Sequence, residues 1–380
     1  MAVSIDYLCF TMKVKDLRHC ARATYVDTHQ HDPDVKKKSR RNTLMINPIA
    51  RFFPQEPVFN TDFRAHSADD IEAYRNFFRI QYQEYLDRCL KLFVTHVLGL
   101  TMNAPRGFGF QFYTESMKLT TADGEDFCGF VGIGGNQDTV HFQINGTGCK
   151  HVFAKLQAWE LHGWLSNVLG VQQLARLDLA YDDYHGLFDC DYALKAAYED
   201  AFRTASRGIS PTVNENHKYR FGEHGAKHYS QEMVTVGSRT SRIYWRIYNK
   251  ALEQNLAQNG MVWYRTECEL KKWDIDALLN PDGAFAALNA FSASISSAPA
   301  FNTKPCPEKR VACDVLTAAY WMRRQYGKIL NSLIEEFDGD IPKVIGLLQR
   351  DGRKFSFPDT YAALIQSITN RSVDPLECKS

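Results

Sequence analysis

Two tyrosines and three basic residues alternate along the stretch from Arg242 to Lys250, whose sequence is RIYWRIYNK. Successive side chains of a β-strand point to opposite faces of the sheet, so Tyr244, Arg246 and Tyr248 share one face with the two terminal residues. The two isoleucines and the tryptophan take the other face. Cations can hold a phosphodiester, and a phenol placed among them can attack it. The alternation by itself leaves Tyr244 and Tyr248 as equal candidates for the nucleophile.

Two further segments, 176–183 (RLDLAYDD) and 265–271 (RTECELK), alternate in the same way and add carboxylates. The residues that share the charged face are Arg176, Asp178 and Asp182 in the first, and Arg265, Glu267, Glu269 and Lys271 in the second. If these strands are neighbours with aligned charged faces, they form a patch of carboxylates, cations and phenols. Carboxylates that gather without equal pairing favour a hard cation, so we expect Mg²⁺ or Mn²⁺. The alternative is a solvated sheet face covered with ion pairs.

The parts of this patch suggest a metal-assisted attack on phosphorus. A phenol has a pKa of about 10 and is a poor nucleophile at neutral pH unless cations stabilise the phenolate. Arg246 and Lys250 flank Tyr248 on its own face. A metal on Asp178 and Glu267 would polarise the scissile phosphate. The product would be a phosphotyrosine link and a free 3′ hydroxyl.

Bulk composition excludes several other classes of protein. The chain has 380 residues with 45 basic and 44 acidic side chains, so a nucleic-acid surface must come from local segregation of charge. Its ten cysteines form no C-x-x-C pair, which argues against a zinc ribbon or a thioredoxin-type site. We find neither a signal peptide nor an apolar run that could span a bilayer. We therefore expect reduced thiols, no membrane partner and a cytoplasmic location.

The predicted elements follow the order strand, helix, several strands, helix, and this order occurs twice, over about residues 3–169 and 174–292. The strands are expected at Val3–Met12, Phe108–Leu119, Phe127–Ile133, Thr139–Ile144, Leu174–Asp182, Met233–Val236, Ile243–Asn249 and Met261–Lys271. The helices are expected at Ser67–Leu98, Cys149–Leu169, about Asp191–Arg203 and from near Asp274. We predict an α+β fold with a largely antiparallel or mixed sheet, helices on one face, an internal duplication and a C-terminal helical module.

The predicted domain organisation has four parts. Residues 1–170 form an N-terminal α+β half, and 171–292 form a catalytic α+β half. Residues 293–308, rich in Ser, Ala and Pro, form a linker, and 309–380 form a helical module. The basic pairs Lys309-Arg310 and Arg323-Arg324 suggest that this module docks on DNA, although a plain helical appendage fits equally well.

Two features near the N-terminus have ordinary explanations beside functional ones. The run Lys36–Arg41 is either a solvated loop or an arm that contacts phosphate. The motif His29-Gln-His31 suggests the metal site of a class of nicking enzyme that binds its metal through two histidines on a strand. Its polar middle residue and the Asp32-Pro33 that follows favour exposed loop histidines instead.

The ordered motifs resemble the replication initiation factors of rolling-circle plasmids and filamentous phages. The matching segments are IDYLCFTM (5–12), ARLDLAYDD (175–183), VGSRTSRIYWRIYNK (236–250) and WYRTECELKKW (263–273). The segment 134–153, GGNQDTVHFQINGTGCKHVF, is similar to one common on the phage side of the family. Each segment is short, and the specificity lies in their order from near the N-terminus to about residue 273.

The resemblance implies an activity and a set of roles. Members of this family nick one strand of a replication origin through a tyrosine, stay on the 5′ phosphate and leave a 3′ end for the host polymerase. The nucleophile of the R-I-Y-N-K element falls on Tyr248, with Arg246 and Lys250 beside it. The metal ligands fall on Asp178 and on Glu267 or Glu269, and the resemblance leaves the choice between the glutamates open.

The expected partners follow from the same resemblance. Origin DNA, double-stranded and single-stranded, is the substrate, and the residues expected to contact it are Arg176, Arg242, Arg265 and Lys271. A host helicase and a second copy of the chain are further expected partners, within the cytoplasm of a bacterial host. The alternative function is a sequence-specific phage or plasmid regulator that binds DNA and cuts nothing, for which the clustered carboxylates would be unfavourable.

Overall fold

The structure is a computed structural model that describes residues 3–25, 45–60, 62, 66–204, 208–257, 260–305 and 315–349. It divides into two compact units, Met1–Pro305 and Cys306–Ser380. The second unit contains two helices within its described part, Val315–Glu336 and Ile341–Leu348. The predicted division of the chain into two halves, a linker and a helical module stays a prediction.

Fourteen strands lie in the described residues, and all but four of them belong to one sheet. In chain order they are β1 (Ser4–Lys13), β2 (Thr24–Tyr25), β3 (Met45–Ile46), β4 (Thr101–Pro105), β5 (Glu115–Thr120), β6 (Phe127–Ile133), β7 (Thr139–Ile144), β8 (Gln173–Asp183), β9 (Val213–Glu215), β10 (Lys218–Phe221), β11 (Lys227–Gln231), β12 (Met233–Val236), β13 (Ile243–Asn249) and β14 (Tyr264–Asp274). Strands β2 and β3 pair with each other, as do β10 and β11.

Nine α-helices accompany these strands in the described residues. They are α1 (Ala68–Leu92), α2 (Gly146–Phe153), α3 (Ala158–His162), α4 (Cys190–Tyr198), α5 (Lys250–Glu253), α6 (Pro281–Ala286), α7 (Ala290–Ile295), α8 (Val315–Glu336) and α9 (Ile341–Leu348). Short π-helical segments extend α1 over Phe93–Val97 and α3 over Gly163–Val168. No described helix is long and apolar enough to cross a bilayer.

The main sheet is antiparallel throughout and has the order β4-β5-β6-β7-β1-β8-β14-β13-β12-β9. Strands β1 and β8 lie side by side at its centre. Outward from β1 come the other strands of the first half in reverse chain order, and outward from β8 come those of the second half. This arrangement agrees with the predicted repeat of strand, helix, several strands and helix. The predicted α+β fold with a largely antiparallel sheet is confirmed.

One face of the sheet carries the hydrophobic core, because the apolar residues of each strand alternate onto it. In the first half, Phe10 of β1 stacks on Phe142 of β7 with ring centroids 4.8 Å apart. In the second half, the buried Trp245 of β13 contacts Phe285 of α6 and Phe291 of α7, each at 5.7 Å. The helices therefore cover the face opposite the alternating charges, which leaves the charged face for chemistry.

The predicted helix at Ser67 is confirmed, and its start has a clear physical cause. Ser67 and Asp70 form a capping box, in which the serine hydroxyl accepts from the Asp70 amide at 3.2 Å and Asp70 Oδ2 accepts from the Ser67 amide at 3.3 Å. Two amides without helical partners are thereby satisfied.

Two predicted elements differ from the structure. The single helix expected over Cys149–Leu169 is broken, because Gln157 starts a new helix with its own capping box to Glu160. The strand expected over Phe108–Leu119 begins only at Glu115, since the preceding residues include Gln111 and Phe112 at positive φ, a turn conformation. The lysine-rich run, the His29–His31 motif and the Lys309-Arg310 pair lie outside the described residues.

Candidate active site

Four neighbouring strands place the predicted residues on one face of the sheet. Residues directly opposite each other in antiparallel strands project to the same side. Tyr248 of β13 lies opposite Arg265 of β14, and Arg246 lies opposite Glu267. Further along β14, Glu269 lies opposite Asp178 of β8. The expectation that these strands are neighbours with aligned charged faces is therefore confirmed.

The charged face is built in two layers, with carboxylates beneath cations. Asp178 is 2% exposed, and Glu267 and Glu269 are 4% exposed. The side chains of Arg176 and Arg246 keep 29% and 30% of their surface accessible, and that of Lys271 keeps a similar share. Carboxylates are rarely buried to this extent unless they are paired or functional. The face is covered with ion pairs, as the alternative expectation has it, but its carboxylates are buried and its cations are partly accessible.

The three buried carboxylates are paired with basic side chains. The Arg176 guanidinium donates to both oxygens of Asp178, at 2.7 and 2.6 Å, and also contacts Glu269 at 2.9 Å. Lys271 Nζ lies 2.8 Å from the other oxygen of Glu269. Arg246 contacts Glu267 at 2.5 Å. The expectation of carboxylates that gather without equal pairing is therefore wrong. Arg176 and Lys271 reach the acids two residues away on their own strands, and Arg246 reaches Glu267 from the neighbouring strand.

Tyr248 differs from a surface tyrosine in its burial and in the partner of its hydroxyl. It is 6% exposed, and its hydroxyl donates to Glu267 Oε1 at 2.6 Å. Lys250 Nζ lies 3.4 Å from the same hydroxyl oxygen. Burial, and next the negative charge of Glu267, raise the pKa of Tyr248 above its ordinary value. The neighbouring cations therefore do not bring the pKa of this phenol below its ordinary value, and the hydroxyl proton is directed at Glu267.

Tyr244 shares the face, but its surroundings are different. It lies opposite Glu269 and is 8% exposed. The Arg239 guanidinium lies 5.6 Å from the centroid of its ring, which is a cation–π contact. The structure therefore distinguishes two tyrosines that the alternation made equivalent. Of these two described tyrosines, Tyr248 is the one whose hydroxyl donates to a carboxylate.

A second group of hydrogen-bonded residues lies beside Tyr248 on the same face of the sheet. Arg265 donates twice to Asp182, from Nε at 2.7 Å and from Nη2 at 2.6 Å. The indole of Trp263 donates to the same carboxylate at 2.6 Å. Arg265 is only 7% exposed, so its guanidinium is directed into the site and toward Asp182. The predicted DNA contact of Arg265 stays a prediction, and its observed contacts suit a positioning role.

The remaining predicted DNA contacts, Arg242 and Lys271, meet at the edge of the patch. Arg242 directly precedes β13, and its carbonyl oxygen accepts from the Lys271 amide at 2.8 Å. Arg176 contributes the third cation of this region, with its side chain partly accessible. The structure therefore brings three of the four expected DNA-contacting residues to one accessible zone.

Two residues of β1 take part in the site although sequence patterning did not select them. The Arg176 guanidinium lies 4.3 Å from the centroid of the Tyr7 ring, and Tyr7 is opposite Asp178. Asp6 accepts from Arg265 Nη1 at 3.5 Å. The register of β1 against β8 shifts between Ile5 and Tyr7, which is a β-bulge at Asp6. Regular alternation would put Asp6 on the face of Leu8, so only the pairing of the strands reveals its position.

The fit of a divalent metal depends on both donor type and arrangement. Asp178, Glu267 and Glu269 supply hard oxygen donors, which Mg²⁺ and Mn²⁺ prefer. In the described residues, however, no group of three acidic, histidine or cysteine side chains is arranged to hold an ion. The donor set fits in chemistry, and its oxygens are engaged by Arg176, Arg246 and other partners. Burial raises the pKa of Asp178 to about 6, although Arg176 opposes this shift.

The fold and the site together define an α+β protein with a tyrosine, carboxylates and guanidinium groups on one sheet face. Residues 172–346, a little less than half of the chain, match the family model described as replication initiation factor. The resemblance predicted from the ordered motifs is therefore confirmed over that region. It includes every residue predicted to act in the site.

The chain is also similar to solved structures. The structure of a rolling circle replication initiator protein from Geobacillus stearothermophilus is similar at 18% sequence identity and a TM-score of 0.36. The match covers 73% of this chain and 76% of that chain. No curated protein matches the sequence.

Proposed function

We propose that this protein initiates rolling-circle replication by nicking one strand of origin DNA through Tyr248. The observation that carries the proposal is the contact of the buried Tyr248 hydroxyl with Glu267, at 2.6 Å, beneath a cationic surface. Arg246 contacts the same carboxylate at 2.5 Å. A nucleophile, a proton acceptor and an anion-binding group thus meet at one point. The family match over residues 172–346 supports this assignment.

The first step is the capture of the DNA backbone by the accessible cations. Arg176, Arg246 and Lys271 have partly exposed side chains and lie above the buried carboxylates. A phosphate that binds Arg246 would compete with Glu267 for its guanidinium, since one arginine bonds strongly to either anion. Release of Glu267 from Arg246 makes the carboxylate a better base.

The second step is the attack on phosphorus. Glu267 takes the hydroxyl proton of Tyr248, and the phenolate oxygen forms a bond to the scissile phosphorus. The bond from phosphorus to the 3′ oxygen breaks, and that oxygen leaves with the electron pair and takes up a proton. The products are a 5′-phosphotyrosine link and a 3′ hydroxyl. Lys250, 3.4 Å from the tyrosine oxygen, stabilises the negative charge that develops there.

A divalent cation completes the proposal, and Asp178 and Glu269 are the residues that would hold it. These two residues lie directly opposite each other on β8 and β14, whereas Glu267 accepts a hydrogen bond from Tyr248. When bound, Mg²⁺ or Mn²⁺ supplies Lewis-acid stabilisation of charge on the phosphate oxygens. The assignment separates the two glutamates that the sequence left equivalent, with Glu269 as ligand and Glu267 as base.

Arg265 and Asp182 act as positioning residues in this scheme. Arg265 lies opposite Tyr248 and is fixed by its two bonds to Asp182. Its charge lies near the Tyr248 oxygen and opposes the rise in the pKa of that phenol. The host helicase and a second copy of the chain, which the resemblance implies as partners, belong to the same proposal.

The test uses the full chain and a supercoiled plasmid that carries the DNA adjoining its gene. With Mg²⁺ or Mn²⁺ present, we expect open-circular product with protein attached to the 5′ end. Tyr248→Phe should bind this DNA normally and form no adduct, while the matched variant Tyr244→Phe should form it. Tight binding with no nicking under either metal would refute the nickase and leave the non-catalytic regulator. An adduct that persists in Tyr248→Phe would show that another residue is the nucleophile.

A further inference from the structure

The hairpin formed by β10 and β11 stands apart from the main sheet. The two strands pair only with each other and are joined by a turn over residues 222–226. Tyr219 pairs with Tyr229, and Phe221 pairs with Lys227. Because paired residues share a face, these four side chains form one face of the hairpin, and Arg220 projects to the other.

The aromatic side chains of this hairpin are exposed to an unusual degree. Phe221 is 70% exposed and Tyr219 is 41% exposed. Their rings contact each other edge-on at 5.4 Å, and Tyr219 contacts Tyr229 at 5.5 Å. Lys227 Nζ lies 4.7 Å from the Tyr219 centroid. A two-stranded hairpin is marginally stable by itself, so an exposed aromatic face on one indicates a surface that is covered by a partner.

The charge of the hairpin specifies the kind of partner. Residues 216–231 contain Lys218, Arg220 and Lys227 but a single acid, Glu223. They also contain three histidines. The whole chain is nearly neutral, with 45 basic and 44 acidic residues, so this surplus is local. Exposed cations interleaved with aromatic rings suit duplex DNA, because its phosphates bind the cations and its major groove offers thymine methyl groups to the rings.

The base of the hairpin is attached to the residue that follows the proposed nucleophile. Glu232 comes directly after β11, and its carbonyl oxygen accepts from the Asn249 amide at 3.0 Å. Its carboxylate accepts from Asn249 Nδ2 at 3.1 Å and from the Tyr264 hydroxyl at 2.9 Å. The next residue, Met233, lies opposite Tyr248. The base of the hairpin is therefore hydrogen-bonded to the strand that carries Tyr248.

We propose that the hairpin 217–231 is a DNA-docking ribbon that enters the major groove of duplex origin DNA beside the scissile phosphate. A two-stranded β-ribbon fits this groove, which is about 12 Å wide. The four residues of β10 span about 13 Å, comparable to roughly four base-pair steps. Arg220 and Lys227 project from opposite faces of the ribbon and contact the backbone phosphates on the two sides of the groove. The proposal rests on the proposed function, since it assigns to the hairpin the choice of where Tyr248 cuts.

The experiment compares two double variants of the full chain. Arg220→Ala with Lys227→Ala removes two hairpin cations, and Arg75→Ala with Arg79→Ala removes two exposed cations from α1. For each protein, the affinity for a linear duplex made from the DNA adjoining the gene is measured at several salt concentrations. Cleavage of a single-stranded oligonucleotide from the same DNA is measured in parallel. Unfolding by urea checks that both variants are folded.

We expect the hairpin variant to bind the duplex about tenfold or more weakly at roughly 0.1 M salt, with a log–log salt slope smaller by about two. The hairpin variant should cleave the single-stranded oligonucleotide as fast as the unaltered protein does. The α1 variant should equal the unaltered protein in both assays. An unchanged duplex affinity and slope would overturn the proposal. An equal loss on the single strand would also overturn it, by showing a single-strand contact. If no protein cuts anything while the slope still changes, the nickase fails and the docking surface stands.

Discussion

Replacing Glu267 with Gln tests the proton acceptor directly. The amide keeps the size of the side chain and an oxygen that can accept from Tyr248, but it cannot take the proton. General-base catalysis contributes about 10²- to 10⁴-fold in rate, so the barrier should rise by about 3 to 5 kcal/mol. DNA affinity should be unchanged or higher, because a negative charge beneath the cationic surface is removed.

The assay is single-turnover nicking of the supercoiled plasmid at saturating protein, together with duplex affinity. Glu269→Gln is the matched control, since Glu269 is equally buried at 4% exposure, lies two residues away on the same strand and contacts Arg176 and Lys271. Its loss of activity should recover at higher Mg²⁺ or Mn²⁺ concentration, whereas that of Glu267→Gln should not.

Two results would contradict the assignment of Glu267 as the base. If Glu267→Gln nicks within about threefold of the normal rate, Glu267 is not the base. If Glu269→Gln loses the same activity and neither variant responds to metal, the two glutamates share a purely electrostatic role. Glu267→Gln also removes the charged partner of Arg246, which should lower the free energy of unfolding by about 1 to 3 kcal/mol. Urea titration measures this loss and so distinguishes a loss of chemistry from a loss of folded protein.

Three further predictions address the metal, the pH dependence and the core. Asp178→Asn should raise the Mg²⁺ or Mn²⁺ concentration needed for half-maximal nicking while leaving Tm within a few degrees, and an unchanged metal dependence would remove Asp178 from the ligand set. Burial lowers the pKa of His141, so the unfolded chain binds a proton first and the free energy of unfolding should fall as pH decreases through about 6.5. In His141→Gln, urea titrations between pH 7 and 5 should lack the part of this decrease that comes from His141. A pH dependence identical to that of the unaltered protein would contradict the prediction. Trp245→Ala should lower the unfolding free energy by about 3 to 5 kcal/mol, because Trp245 is 2% exposed, and a loss below about 1 kcal/mol would contradict the packing.

Residue types and their spacing predicted the strands that build the site and the faces that their residues occupy. Alternation depends only on backbone geometry, so the bounds of β12 and β13 and the shared face of Tyr244, Arg246 and Tyr248 could be predicted from residue types. The order of strand and helix signals likewise indicated the repeat that appears in the sheet as two sets of five strands around β1 and β8.

Which of these residues are in contact depends on how the strands pair in the folded chain. The distinction between Tyr244 and Tyr248 depends on the register of β13 against β14, which brings Glu267 to one hydroxyl and leaves the other ring beneath Arg239. The position of Asp6 depends on a bulge that a single strand does not reveal. The contacts of Arg246 with Glu267 and of Arg176 with Glu269 join residues on different strands. Spacing within one strand carries no information about such contacts.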